Sequence, residues 1–228
     1  IEPEIMASLL ISEMVKRTKL NPQELDSIIL GHTKQSADQP NIARLAALMA
    51  GIPVEVQSYT IHRQCGSGMQ AVHNVAQEIM CGYTGLGLAG GVESMSNAQY
   101  YLRKARRGYS VGNGVILDPN TESQPRSQPI DQYGSLTMGM TAENIAEKYG
   151  ISRQEQDEFA YNSQLKTQNA ITGGLFKDEI IPVPVKSKKQ TIFFDTDEHP
   201  RLSALEDMAK LKPAFKPDGS VTAGNSSG

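Results

Sequence analysis

An α/β fold follows from three features of the sequence. Short apolar runs (Ile28-Ile29-Leu30, Tyr59-Thr60-Ile61-His62, Gly85 to Glu93) have the length of buried strands. Between them lie segments whose apolar residues recur at three- and four-residue steps, the spacing of a helix with one buried face. Gly31, Gly51, Pro53 and Gly82 mark the junctions, so strand and helix alternate.

Taken in order, Glu2-Pro3-Glu4 followed by Met6, Leu9, Leu10 and Met14 predicts an amphipathic helix. Its acidic first turn and its closing Lys16, Arg17 and Lys19 suit the helix dipole. Asn21-Pro22-Gln23-Glu24 supplies a cap, a first-turn proline and an acidic third position, and so a short helical turn. Ile28 to Leu30 is a brief buried strand stopped at Gly31. Pro40 to Ala50 predicts a helix on Ile42, Leu45, Ala46 and Met49. Val54 to His62 leads into a turn. From there Met69, Val72, Val75, Ala76, Ile79 and Met80 predict a helix with that face buried, ending near Gly82. The strand Gly85 to Glu93 completes a β-α-β unit.

Periodicity fades after Ser96. Tyr100 to Gln132 holds Arg103, Lys104, Arg106, Arg107 and the proline-punctuated stretch Asn120 to Pro129, a long loop of the kind that is usually functional. The basic cluster reads most simply as a solvated face. Thr141 to Tyr149 is a short helix. Ser152-Arg153-Gln154-Glu155 is a capping box opening a longer one through Phe159, Ala160, Leu165 and Ala170 to Gly173-Gly174. Ile180 to Val185 and Thr191 to Phe194 are strand-like, the first confined to an edge by its prolines.

The chain has 228 residues and a net charge of −3, which gives no general attraction to nucleic acid. No apolar run approaches the roughly 18 residues of a membrane span, and the start lacks a basic-then-apolar secretory pattern. A cytoplasmic protein bound to neither membrane nor nucleic acid is expected. The two cysteines, Cys65 and Cys81, bracket the helix that follows Gly68. At about 1.5 Å per residue they stand roughly 24 Å apart, too far to bridge. Cys81 reads as packing at the helix end. Cys65, in Arg63-Gln64-Cys65-Gly66-Ser67-Gly68, sits at a strand-to-helix turn, where free N–H groups and the positive dipole end favour a thiolate. Gly66 and Gly68 leave room for a substrate carbonyl. A cysteine is more often a small buried hydrophobe, but the turn and its glycines weigh toward a nucleophile.

Four blocks, in order over nearly the whole chain, resemble the thiolase family, acetyl-CoA acetyltransferases in particular. They are Arg63 to Val72 (RQCGSGMQAV), Ala89 to Ser96 (AGGVESMS), Met138 to Asn144 (MGMTAEN) and Lys210 to Gly228 (KLKPAFKPDGSVTAGNSSG). The resemblance implies two similar α/β halves of layered helices and mixed sheet, with an inserted α/β loop domain covering coenzyme A. Residues 1–96 correspond to the first half without its opening strand, and 97–228 to the loop domain. The second half has no counterpart, so a fragment of a longer enzyme is expected.

The family moves an acyl group between coenzyme A thioesters through an acyl-cysteine, by thiolytic cleavage or Claisen condensation, a chemistry of fatty acid metabolism. By resemblance Cys65 is the nucleophile, its own N–H facing the oxyanion. Met138 lies along pantetheine and Arg201 near the nucleotide, while Phe215, Ala223, Ser226 and Ser227 line the adenine and pantetheine path. Lys186, Lys188, Lys189, Lys210 and Lys212 are candidates for added positive potential. Thr137 departs from the histidine common before Met138. Coenzyme A and acetyl-CoA enter as substrates, with no permanently bound cofactor and no metal; a homodimer or homotetramer is implied. The family's base, in a Gly-His-Pro block, and its second cysteine, in a Cys-x-Gly block, lie in the second half, and His32, His62, His73 and His199 match neither. This chain alone is therefore expected to bind coenzyme A weakly and turn over no substrate. Two other readings are a ketosynthase-like condensing enzyme, which generally lacks the long insertion, and a non-catalytic acyl-CoA-binding or interaction domain.

Overall fold

Strand β1 (Ser27–Gly31) is buried at every residue and pairs in parallel with β2 (Gln57–Ile61) on one side and β3 (Gly87–Gly91) on the other. The sheet order β2-β1-β3 means that the helix between β2 and β3, α3 (Ser67–Met80), crosses over β1. In the computed structural model, which describes residues 1–187 and 190–227, these elements belong to the first of two compact units. That unit comprises Ile1–Asn120 and Val183–Phe193; the second comprises Thr121–Pro182 and Phe194–Gly228.

The alternation of side chains along β1 builds a three-layered first unit. Ile28 and Leu30 point to one face, where they join Ala7 and Ile11 of α1 (Pro3–Thr18) and Ala43, Ala46 and Ala47 of α2 (Ile42–Met49). Ile29 points to the other and meets Ala71 and Val75 of α3. Asn41 caps α2 through its side chain, and Asn21 does the same for the short turn Pro22–Glu24. As expected, the region after Ser96 has little regular structure: a small antiparallel pair, β4 (Tyr101–Leu102) with β5 (Ile116–Leu117), and the single-turn helices α4 (Pro119–Glu122) and α5 (Ile130–Tyr133).

The second unit is built on α6 (Met138–Tyr149) and α7 (Arg153–Thr172), the latter opened by the expected Ser152–Glu155 capping box. The strands β6 (Val183–Lys186) and β7 (Thr191–Phe194), which apart from Phe194 belong to the first unit, form a separate two-stranded sheet. A short helix, α8 (Leu205–Ala209), has no signal in the sequence beyond Leu205 and Met208.

Three buried faces differ from those the spacing predicts. In α1 the small Ala7 and Ser8 are buried with Ile11, whereas Leu10 and Met14 are exposed. In α3 the buried residues are Ser67, Ala71 and Val75, while Met69 is 64% and Met80 86% exposed, with Val72 and Ile79 also turned outward. The cause is close approach: a side chain on Gly87 would stand 2.6 Å from Val75 Cγ1, so the helix lies on β3 with only small residues between. In α7, Phe159 is 79% exposed, and the one buried residue is Asp157.

Candidate active site

Between the last residue of β2 and the first of α3, the chain turns through His62 to Gly66 with Cys65 exposed. The turn is tied from beneath by Ser67, which is buried. Its hydroxyl accepts the Arg63 N–H at 2.8 Å and donates to the Gln64 carbonyl at 2.5 Å. Gln64 takes a left-handed backbone (φ 49°), and the Gly66 N–H closes onto the Arg63 carbonyl at 3.1 Å. No side chain caps α3, so its first-turn N–H groups keep no side-chain acceptor, an arrangement that favours negative charge nearby.

The start of α3 rests on the carboxyl ends of β1 and β3. A Cβ on Gly31 would stand 2.5 Å from Gly68 N and overlap the Ser67 carbonyl carbon; one on Gly91 would lie 3.4 Å from Gly68 Cα. Gly68 therefore serves helix-to-strand contact, whereas Gly66 has only the Arg63 carbonyl nearby at 3.5 Å. The same strand ends are clamped by His32, whose Nδ1 lies 2.9 Å from the Val92 carbonyl, and by Glu93, which accepts the Thr33 and Lys34 N–H groups at 3.0 and 3.1 Å.

In the second unit, the residues singled out for coenzyme A line two cavities. One, of about 470 Å³, is lined by Met138, Phe215, Ser226 and Ser227 together with Gln124 and Gln156. The other, of about 330 Å³, is lined by Arg201, Ala223 and Ser226 with Tyr161, Gln164 and His199. Ser226 borders both. Neither Met138 nor Phe215 is core packing, at 61% and 42% exposed; the Phe215 ring occupies the space that a side chain on Gly139 would need. The Thr137 hydroxyl accepts the Met140 N–H at 3.3 Å and so caps α6, the work a histidine there would not do.

The family model described as "Thiolase, N-terminal domain" matches residues 2–228. The chain belongs to the thiolase family. It is 45% identical to a protein named acetyl-CoA acetyltransferase from Syntrophomonas wolfei, covering 98% of this chain and 56% of that protein. A Pseudomonas aeruginosa protein of the same name is also 45% identical, with 99% and 56% covered. The crystal structure of the Bacillus anthracis acetyl-CoA acetyltransferase superposes with a TM-score of 0.93 at 45% identity, over 100% of this chain and 57% of that one. The chain thus spans about half the length of the curated relatives it matches, and its fold is the thiolase fold.

Several sequence expectations for this thiolase chain change on the coordinates. Cys81 is exposed at the C-cap of α3, not packed, because the outward face of that helix carries it away from the sheet. Lys210 pairs with Asp207 at 2.8 Å, which raises the lysine above its usual range and spends its charge locally. Lys188 and Lys189 lie outside the described residues. His32 is buried in its strand-end clamp, while His62 and His73 are exposed. Sequence reasoning missed Ser67, Glu143, Asp157 and Asn225, the groups that hold the site segments. Glu143 is buried and accepts the Ser220 and Val221 N–H groups at 3.0 and 2.8 Å, fixing the segment that follows Phe215 onto α6. For Ser67, Glu143 and Asp157 the only signal was a polar residue at a position that helical spacing turns inward, and Asn225, outside any helix, had none.

Proposed function

We propose that the chain supplies the acyl-accepting cysteine and the coenzyme A-holding residues of a thiolase that transfers acyl groups between coenzyme A thioesters. The Cys65 thiolate attacks the thioester carbonyl. The carbon–sulfur bond to coenzyme A then breaks, coenzyme A leaves as its thiol after taking up the proton that Cys65 gave to a base, and the acyl group remains on Cys65 as a thioester. A second acetyl-CoA, as its carbanion, takes the acyl group in condensation, and thiolytic cleavage runs the same steps backward. The Cys65 N–H is the candidate oxyanion donor, a kind of group whose loss typically costs ~10²–10³ in rate.

The observation that carries this reading is that Met138, Arg201, Phe215, Ala223, Ser226 and Ser227, far apart in sequence, border two cavities with a common wall at Ser226. Their mix of apolar surface and a cation suits a pantetheine arm ending in phosphates. The reading includes a division into a core half (1–96) and a coenzyme A-covering insertion (97–228). It also includes a cytoplasmic setting and a homodimer or homotetramer. The base and second cysteine of the reaction are those of the family's Gly-His-Pro and Cys-x-Gly blocks.

The test is acetyl labelling. In a thiolase that contains this chain together with the Gly-His-Pro and Cys-x-Gly blocks, acetyl-CoA is expected to leave one hydroxylamine-labile acetyl group on the Cys65 peptide, seen by mass spectrometry and lost in Cys65→Ser. Coenzyme A retained without any such label would replace the proposal by a non-catalytic acyl-CoA-binding domain.

A further inference from the structure

Helix α7 runs for 20 residues, yet the only residue it buries is an acid, Asp157, at 4% exposure. Its inward face is a row of polar groups that reach other backbone segments directly or through a second side chain. Asp157 Oδ2 accepts from Arg153 Nε at 2.8 Å, and Oδ1 accepts from Asn225 Nδ2 at 2.9 Å. The Arg153 fork donates onward to the Leu211 and Met208 carbonyls, at 3.2 and 2.5 Å. Asn225 accepts the Thr222 N–H at 2.7 Å and donates to the Ser220 carbonyl at 3.0 Å. One turn pair further on, Gln164 accepts the Arg201 N–H at 2.8 Å.

Those segments (201, 208–211 and 220–225) are walls of the two cavities that border Ser226. A helix that stabilised the unit by burial alone would present aliphatic side chains here, since a buried ion pair is weak evidence for stability. We infer that Asp157, acting through Arg153 and Asn225, is a positioning residue that sets the ligand-facing geometry of Ala223, Ser226 and Ser227, and with it the affinity for coenzyme A. This deepens, and rests on, the coenzyme A reading of those cavities.

The chemistry of the hub makes the claim testable with an isosteric change. Asp157→Asn keeps the volume, but an amide cannot accept from both Arg153 and Asn225 without turning its own NH₂ against one of these donors. The variant and its parent are titrated with coenzyme A by calorimetry well below their melting temperatures. Ala223 and Ser227 amide shifts are followed by NMR in parallel. Expected are retained far-UV ellipticity, coenzyme A binding weakened about tenfold, as for loss of a charge-assisted hydrogen bond, and moved Ala223 and Ser227 amides in the free protein. Asn225→Ala is expected to do the same, and the double variant to add little, because both break one connection. If Asp157→Asn does not fold, Asn225→Ala and Arg153→Lys carry the same test. A lowered melting temperature with unchanged affinity and unmoved amides would overturn the positioning role while leaving the coenzyme A reading intact. A parent chain that binds no coenzyme A would overturn both.

Discussion

Gly31 shows how one missing side chain fixes the reactive turn. Its Cα faces the backbone of Ser67 and Gly68, so any Cβ there must push the first turn of α3 off the end of β1. That turn carries Ser67, the hydroxyl that ties Arg63 to Gln64 around Cys65. Gly31→Ala is therefore expected to destabilise the protein by about 1–3 kcal/mol, the usual cost of overpacking. Because the displaced backbone is the one that presents Cys65, the variant is also expected to change the alkylation rate of Cys65 by iodoacetamide while leaving that of Cys81 alone. Thermal melts and peptide-resolved alkylation measure the two effects; equal changes at both cysteines would deny the link between strand end and turn.

Between elements, the clearest lesson concerns α3 and α6. The sequence made the existence of α3 plain through its repeating apolar residues, and it misassigned the buried face for a physical reason. Where a helix lies against Gly87 and Gly91, the contacting residues must be small, so Ala71 and Val75 go inward and the larger Met69, Val72, Ile79 and Met80 remain outside. Side-chain size thus points the opposite way from burial. The exposed turn that holds Cys65 was legible because a strand-to-helix junction with flanking glycines is a local pattern. The Glu143 clamp was not, because its partners Ser220 and Val221 lie far along the chain. Burial alone would raise the Glu143 carboxyl, but the N–H groups of Ser220 and Val221, the Ser220 hydroxyl and the Lys216 charge outweigh it and hold it below its ordinary value of 4.5. An acid depressed in the folded state contributes stability that is complete above its unfolded value and is lost as pH falls through the folded one. Stability of the unit holding α6 is accordingly expected to decline as pH drops below about 4.5. Glu143→Gln, which sets an NH₂ among donors, should cost about 1–3 kcal/mol near neutrality and flatten that decline in melts recorded across pH. A variant with the parent's pH profile would show that the clamp adds nothing.

At the scale of the whole molecule, the outward side of α3 carries a stripe of exposed apolar residues. Soluble proteins rarely leave a continuous row of large apolar residues in water, and such a row marks a contact surface. Met69, Val72, Ile79 and Met80 follow one another at steps of three, seven and one residues on the outward side of a helix whose inward side packs on β1 and β3. An exposed apolar stripe of this kind offers a face on which a second copy can seat its own. The purified 228-residue protein is therefore expected to self-associate through α3. Replacing Val72 and Met80 together by glutamine removes apolar surface that faces solvent. The pair should weaken association about tenfold in sedimentation equilibrium, and shift the unfolding free energy by no more than about 0.5 kcal/mol. A parent that stays monomeric at high concentration, or a double variant that associates as before, would place the contact elsewhere.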